Sequence, residues 1–296
     1  MFPRISPRFE AYIAPARIHP EIWRLLLGVV LLVAVYLVTS ILVMATGRGF
    51  GLDPGAVFEG KGSAAETALI LLSFVGLVLG VALAARVFQQ RNLSGLFGPD
   101  PAEFRLHFAI AATAVLTLGV LVQALSLAYS QPQSHLPLLT WLAWLPISLT
   151  LILIQSASEE LLFRGYLQTQ LAARFRSPLV WLLLPSLLFG MLHYDPSGYG
   201  PNAWLVVADT ALFGLVAADL TARTGNLGAA IGLHFVNNAM AILFIAPTGD
   251  MNGLALNVTA FGVNDWDAMR TALLSDMAVI VVGYLVYLYL MRRRGL

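Results

Sequence analysis

The sequence predicts an all-α, polytopic membrane protein with about eight transmembrane helices, and three observations carry that prediction. Hydrophobic residues make up 58% of the 296 positions and charged residues 11%, against roughly a quarter charged in ordinary soluble domains. A water-soluble fold of this length must cover its surface with more polar residues than that. Apolar stretches of membrane-spanning length recur along the chain, and the basic residues fall on alternate connections between them.

A hydrocarbon core of ~30 Å needs roughly 20 mostly apolar helical residues. Stretches 24–45, 65–88, 106–128, 138–162, 178–194, 204–222, 227–246 and 271–291 fit this, the fifth being the shortest. Backbone groups in lipid must be satisfied internally, which selects helices, and the period-two alternation of a barrel is absent. The first stretch follows Arg4, Arg8, Arg17 and Arg24 but is long and lacks an evident small-residue cleavage site, so it reads as an uncleaved anchor. Residues 1–23 read as a mobile or interfacial, cytoplasmic tail. Residues 24–296 form a single transmembrane domain with a catalytic core at about 138–246. The connections 46–64, 89–105 and 247–270 are too short for a soluble domain.

With eight spans both termini share a face. Fourteen of the 17 basic residues lie there, Arg164 among them, and only Arg48, Lys61 and Arg270 lie opposite. The positive-inside rule makes the shared face cytoplasmic. Trp23, Trp141, Trp204 and Trp266 fall near span ends, where interfacial aromatics belong. Arginine fills 16 of the 17 basic positions, which together with abundant alanine and leucine suggests a GC-rich bacterial genome and an inner-membrane location. A net charge of +1 gives no footing for nucleic acid. The absence of cysteine excludes disulfides, thiolate metal sites and a cysteine nucleophile.

Ionisable residues inside a membrane are costly and usually functional. Ser158-Glu159-Glu160 ends the fourth apolar run, and Arg164 lies four residues beyond Glu160, on the same helix face. Glu159 projects about 100° away. One carboxylate can therefore be neutralised by the arginine while the other stays available, although snorkelling of all three at a span end is the plain alternative. Phe189 and His193 share a face of the fifth span, as do His234 and Asn238 of the seventh. Interhelical hydrogen bonding would explain either histidine alone. Together with the carboxylates they supply a base, a water-orienting group and oxyanion donors for acyl transfer to water. Asp209 reads as an interhelical acceptor, Asp219 lies near the cytoplasmic end of the sixth span, and Asp276 is expected at the outer interface.

Other hydrolase chemistries lack their residues. There is no His-Glu-x-x-His, no Gly-x-Ser-x-Gly and no Walker loop. Tyr194-Asp195 and Gly249-Asp250 suggest an aspartyl enzyme, but Pro247 replaces the first glycine of that second motif and Asp250 falls in a loop.

Glu159-Glu160-x-x-x-Arg164, Phe189-x-x-x-His193 and His234-x-x-x-Asn238, in that order on successive spans, resemble the CAAX-type prenyl endopeptidases and bacteriocin-processing enzymes, a family of intramembrane proteases also called Abi. The resemblance covers roughly residues 140–246. It implies that Glu159 is the general base, that His193 holds the attacking water, and that His234 and Asn238 stabilise the oxyanion. Glu160 and Arg164 would be a supporting ion pair. It also implies a metal-independent reaction with no cofactor, although Glu159, His193 and His234 have the chemistry of zinc ligands. The expected activity is endopeptidase cleavage of a membrane-associated peptide or protein, in a cavity opening to the cytoplasm. A proton-coupled transporter using the same acids, or a non-catalytic scaffold of this fold, are the competing readings. For the site to assemble, the fourth span must begin nearer Pro146 and run past Arg164, or the fifth must enter the bilayer only around Trp181. Otherwise His193 lies some 24 Å by helix rise from the cytoplasmic surface to which Glu159 is close. An interfacial amphipathic piece at 165–177 would allow either.

Overall fold

The computed structural model describes residues 6–129, 131–249 and 251–295; Arg4 and Asp250 lie outside them. The first helix, α1 (Pro7–Ile13), starts because the Ser6 hydroxyl accepts from Phe9 N–H and proline fills its first position. Phe9, Tyr12 and Ile13 are buried, with Phe9 packed 5.3 Å from Trp181 and Ser6 Oγ donating to Ala222 O at 2.8 Å. Residues 6–17 are thus docked on the bundle, where the sequence suggested a mobile or interfacial tail. Burial pushes the Tyr12 phenol well above its ordinary pKa, so it serves as a neutral donor, and its partner is Leu96 O.

Eight apolar helices follow: α2 (Ile22–Gly49), α3 (Ala64–Gln89), α4 (Pro101–Tyr129), α5 (Leu138–Arg174), α6 (Leu179–Met191), α7 (Ala203–Thr224), α8 (Gly228–Phe244) and α9 (Trp266–Arg293). Six of them are long and apolar enough to cross a membrane, α7 counted with its leading turn from Pro196; α6 and α8 are the short ones. A capping box starts α3, with the Ser63 hydroxyl accepting from Glu66 N–H while the Glu66 carboxylate accepts from Ser63 N–H. Burial is inverted relative to a soluble bundle. Val30 and Ile41 of α2 are 65% and 66% exposed, and similar side chains cover the outer faces of α3, α4 and α6. Hydrocarbon solvates such a surface and water does not, so the protein is an integral membrane protein.

At the end of the bundle away from the chain termini, β1 (Gln133–Ser134), β2 (Ile245–Thr248) and β3 (Asn257–Gly262) form a small sheet in the order β1-β3-β2. β1 runs antiparallel and β2 parallel to β3. The connection after α8, expected as a polar loop, therefore closes against the one between α4 and α5. Trp141 is not an interfacial anchor: it is buried and donates from Nε1 to Leu243 O at 2.8 Å, tying α5 to the end of α8.

Candidate active site

The centre of the site is set by α5, which continues well past the expected boundary at 162. Leu161–Gln168 widen into π-type turns directly after Glu160, a local distortion common at functional positions. Glu159 is 15 residues from the end of α5 at Arg174, about 22 Å by helix rise. His193 stands 14 residues beyond Leu179, the first residue of α6, about 21 Å by the same measure. The two depths match, and no separate interfacial piece intervenes before Arg174. Pro185, which lacks an N–H, sits at the start of the regular part of α6 after its own π-type turn at Leu179–Leu183.

Arg164 does not belong to the basic face counted from the sequence. It is fully enclosed, donating from Nη1 to Glu160 Oε1 at 3.0 Å and from Nη2 to Gly214 O at 3.1 Å. Its guanidinium carbon lies 4.9, 5.7 and 5.9 Å from the ring centres of Phe189, Phe163 and Phe213, a cage in which cation–π attraction adds to the ion pair. Burying a charge is costly unless it is paired and hydrogen-bonded, and here both conditions are met. Gly214 makes the approach possible, since a Cβ there would stand 3.2 Å from Arg164 Nη2 and 3.1 Å from Ser186.

His234 comes from α8 and reaches both glutamates. Its Nδ1 lies 2.8 Å from Glu160 Oε1 and its Nε2 lies 3.5 Å from Glu159 Oε2. Glu160 Oε1 is thus committed twice, to Arg164 and to His234, while Glu160 Oε2 and Glu159 Oε2 are both enclosed with no hydrogen-bond partner, and Glu159 has no arginine of its own. His193 Nδ1 lies 2.9 Å from Phe189 O. A carbonyl only accepts, so Nδ1 carries the hydrogen and Nε2 of the neutral ring is free to accept. Asn238 donates one amide hydrogen to Gln155 Oε1 at 2.8 Å, and the amide has a second to offer.

A cavity of about 90 Å³ joins these groups. Gln155, Glu159, His193, His234 and Asn238 line it, as do Asp209 and Asp276. All four residues expected to do chemistry therefore share one space, with Glu160 and Arg164 behind its wall. Gln155 was not singled out from the sequence. Its signal was present, a polar residue four positions before Glu159 on the same helix face. Asp276, expected at the outer interface, instead stands inside beside Asp209, while Asp219 is engaged by Arg223 and by the Tyr284 hydroxyl. Among the described residues no three His, Asp or Glu side chains are grouped so as to hold a metal ion.

Residues 140–240 match the family model described as type II CAAX prenyl endopeptidase Rce1-like. The chain is also 24% identical over 279 residues to the uncharacterized protein YyaK of Bacillus subtilis, covering 88% of this chain and 91% of that one. No solved structure matches. The matched segment runs from the start of α5 into α8 and contains Glu159, Glu160, Arg164, His193, His234 and Asn238. Through that segment the chain resembles the CAAX-type prenyl endopeptidases, a family of proteases, as its three motifs suggested.

Proposed function

We propose that this chain is an intramembrane endopeptidase that hydrolyses a peptide bond of a membrane-associated substrate with water activated by Glu159. The observation that carries the proposal is that Glu159, unlike Glu160, lines a cavity shared with His193, His234 and Asn238 and has no arginine partner, its Oε2 standing 3.5 Å from His234 Nε2. In this reading His193 Nε2 accepts a hydrogen from the water and holds it against the Glu159 carboxylate. Glu159 takes the proton as the water oxygen bonds to the scissile carbonyl carbon. The carbonyl oxygen becomes an oxyanion and accepts from the second Asn238 amide hydrogen, with His234 Nε2 on the same wall. Glu159 then returns the proton to the amide nitrogen as the C–N bond breaks, releasing a neutral amine. General base and oxyanion groups of this kind each contribute about 10²–10³-fold or more.

The reaction as proposed uses no metal ion or other cofactor. Chelators should leave turnover unchanged, and loss of activity with restoration by zinc would refute this part.

The arginine distribution supports cytoplasmic termini in a bacterial inner membrane. By helix rise Asp209 lies about 9 Å from the start of α7 and Asp276 about 15 Å from the start of α9. Those starts face away from the termini, so the cavity lies in that half of the bundle. Access from that half, or laterally from the bilayer, fits the geometry better than the cytoplasmic mouth expected from the sequence.

The test is incubation of the purified protein, beside Glu159→Gln and His193→Ala, with a membrane proteome, reading products by mass spectrometry. Products made by the wild type and lost in both folded variants support the reading. The same products from all three samples would refute it.

A further inference from the structure

We infer that Asp209 and Asp276 form a subsite for a positively charged group of the substrate, an Arg or Lys side chain close to the scissile bond. This deepens the protease reading and rests on it.

The two acids arrive from different helices, Asp209 from α7 and Asp276 from α9, and their carboxyl groups lie within hydrogen-bonding reach of each other. α9 lies outside the segment that matches the protease family. Both residues line the cavity that contains Glu159. Asp209 is only 7% exposed, and its Oδ1 is enclosed with no hydrogen-bond partner.

Acids at membrane depth are expensive and are ordinarily matched by a cation or a strong donor. None is built in. The cavity lining carries three carboxyl groups and two imidazoles but no Lys or Arg. Three arginines of the helices around the cavity are committed elsewhere, Arg164 to Glu160 and Gly214 O, Arg223 to Asp219 and Arg270 to Asp267, and Arg292 and Arg293 lie at the far end of α9. The charge that remains on the pair is matched when the ligand brings a cation.

A guanidinium matches a pair of facing carboxyls through its fork of donors, and an ammonium matches them as a point charge. A terminal carboxylate in the same place would meet like charge. The cavity volume of about 90 Å³ suits a few waters or the head of one side chain and is far too small for a long lipid chain. The inference therefore favours cleavage beside a basic residue.

The test uses full-length protein carrying Glu159→Gln, which leaves a bound peptide uncut and removes the third carboxylate. Short apolar peptides carry one arginine, scanned through each position, or its neutral isostere citrulline. Binding is measured in nanodiscs by fluorescence anisotropy. At one position the arginine peptide should bind at least tenfold more tightly than its citrulline twin. Adding Asp209→Asn or Asp276→Asn should bring that ratio close to one, while Asp276→Glu, which keeps the charge, should preserve it. Equal affinity of every pair, or no binding of any peptide, overturns the subsite. So does an arginine preference unmoved by either Asn change. Failure of the protease reading would appear separately, as wild-type cleavage that Glu159→Gln does not reduce.

Discussion

His234 Nδ1 lies 2.8 Å from Glu160 Oε1, so the second glutamate of the pair fixes the orientation of the histidine that faces the first. The adjacent carboxylates divide the work. Glu160 holds Arg164 and His234 in place behind the wall, and Glu159 lines the cavity without an arginine partner.

That division predicts different phenotypes for two neighbouring isosteric changes. Glu159→Gln should lower kcat about 10²–10⁴-fold with little change in thermal stability. Glu160→Gln should reduce both stability and activity, because it leaves the fully enclosed Arg164 without its counter-charge. Tm and kcat measured on both purified variants check this, and equal loss of Tm in the two would refute it.

Arg164→Ala removes one partner from a buried pair and should cost about 3–5 kcal/mol. Arg164→Lys should recover little of this. A lysine has no planar fork to reach both Glu160 Oε1 and Gly214 O and no flat face for the Phe163–Phe189–Phe213 cage. Unfolding in denaturing detergent provides the measurement, and full recovery by lysine would show that point charge alone suffices.

Gly214→Ala places a Cβ 3.2 Å from Arg164 Nη2 and 3.1 Å from Ser186, between α7 and the arginine it positions. Overpacking of this sort costs about 1–3 kcal/mol. The same cost is expected at Gly190, where a Cβ would lie 2.6 Å from Val207 O. Neutral behaviour of both in a thermal melt would mean that α6, α7 and Arg164 have slack that the packing does not suggest.

Gln155→Ala should lower kcat more than it raises KM, since Gln155 accepts from Asn238 and so aims its free hydrogen. Asn238→Ala should cost about 10²–10³-fold in kcat. If Gln155→Ala is silent while Asn238→Ala is not, the amide is oriented by something else.

Because the chain has no cysteine, single cysteines can map access directly. Asp195→Cys and Asp265→Cys should react with a membrane-impermeant maleimide from the side opposite Asp100→Cys. Labelling of all three from one side would refute the proposed crossing pattern.

The fold class was legible because the apolar runs are long and the arginines lie on one side. The site was legible because Glu159, Glu160, Arg164, His193, His234 and Asn238 carry their relationships in i,i+4 spacing, which a helix converts directly into shared faces. Three features were hidden for physical reasons. The reach of α5 through Arg174 depends on Arg164 and Gln168 finding partners on α7, at Gly214 O and Ala218 O, so a polar segment that looked interfacial is interior. Asp276 reads as an interfacial acid in one dimension, and only the packing of α9 on α7 turns it inward. After α8, β3 finds β1 across a long sequence gap, which local pattern does not reveal.

The docked N-terminal segment also constrains how the molecule assembles. Ser6 and Phe9 emerge from the ribosome well before Ala222 and Trp181, the residues they rest against. Until α6 and α7 are inserted, Phe9 lacks its Trp181 partner and Ser6 its Ala222 acceptor, and the segment stays available to chaperones or to the bilayer surface. Residues translated well before α6 and α7 thus settle after them, and α1 acts as a latch that closes only on a bundle whose later helices are already in position.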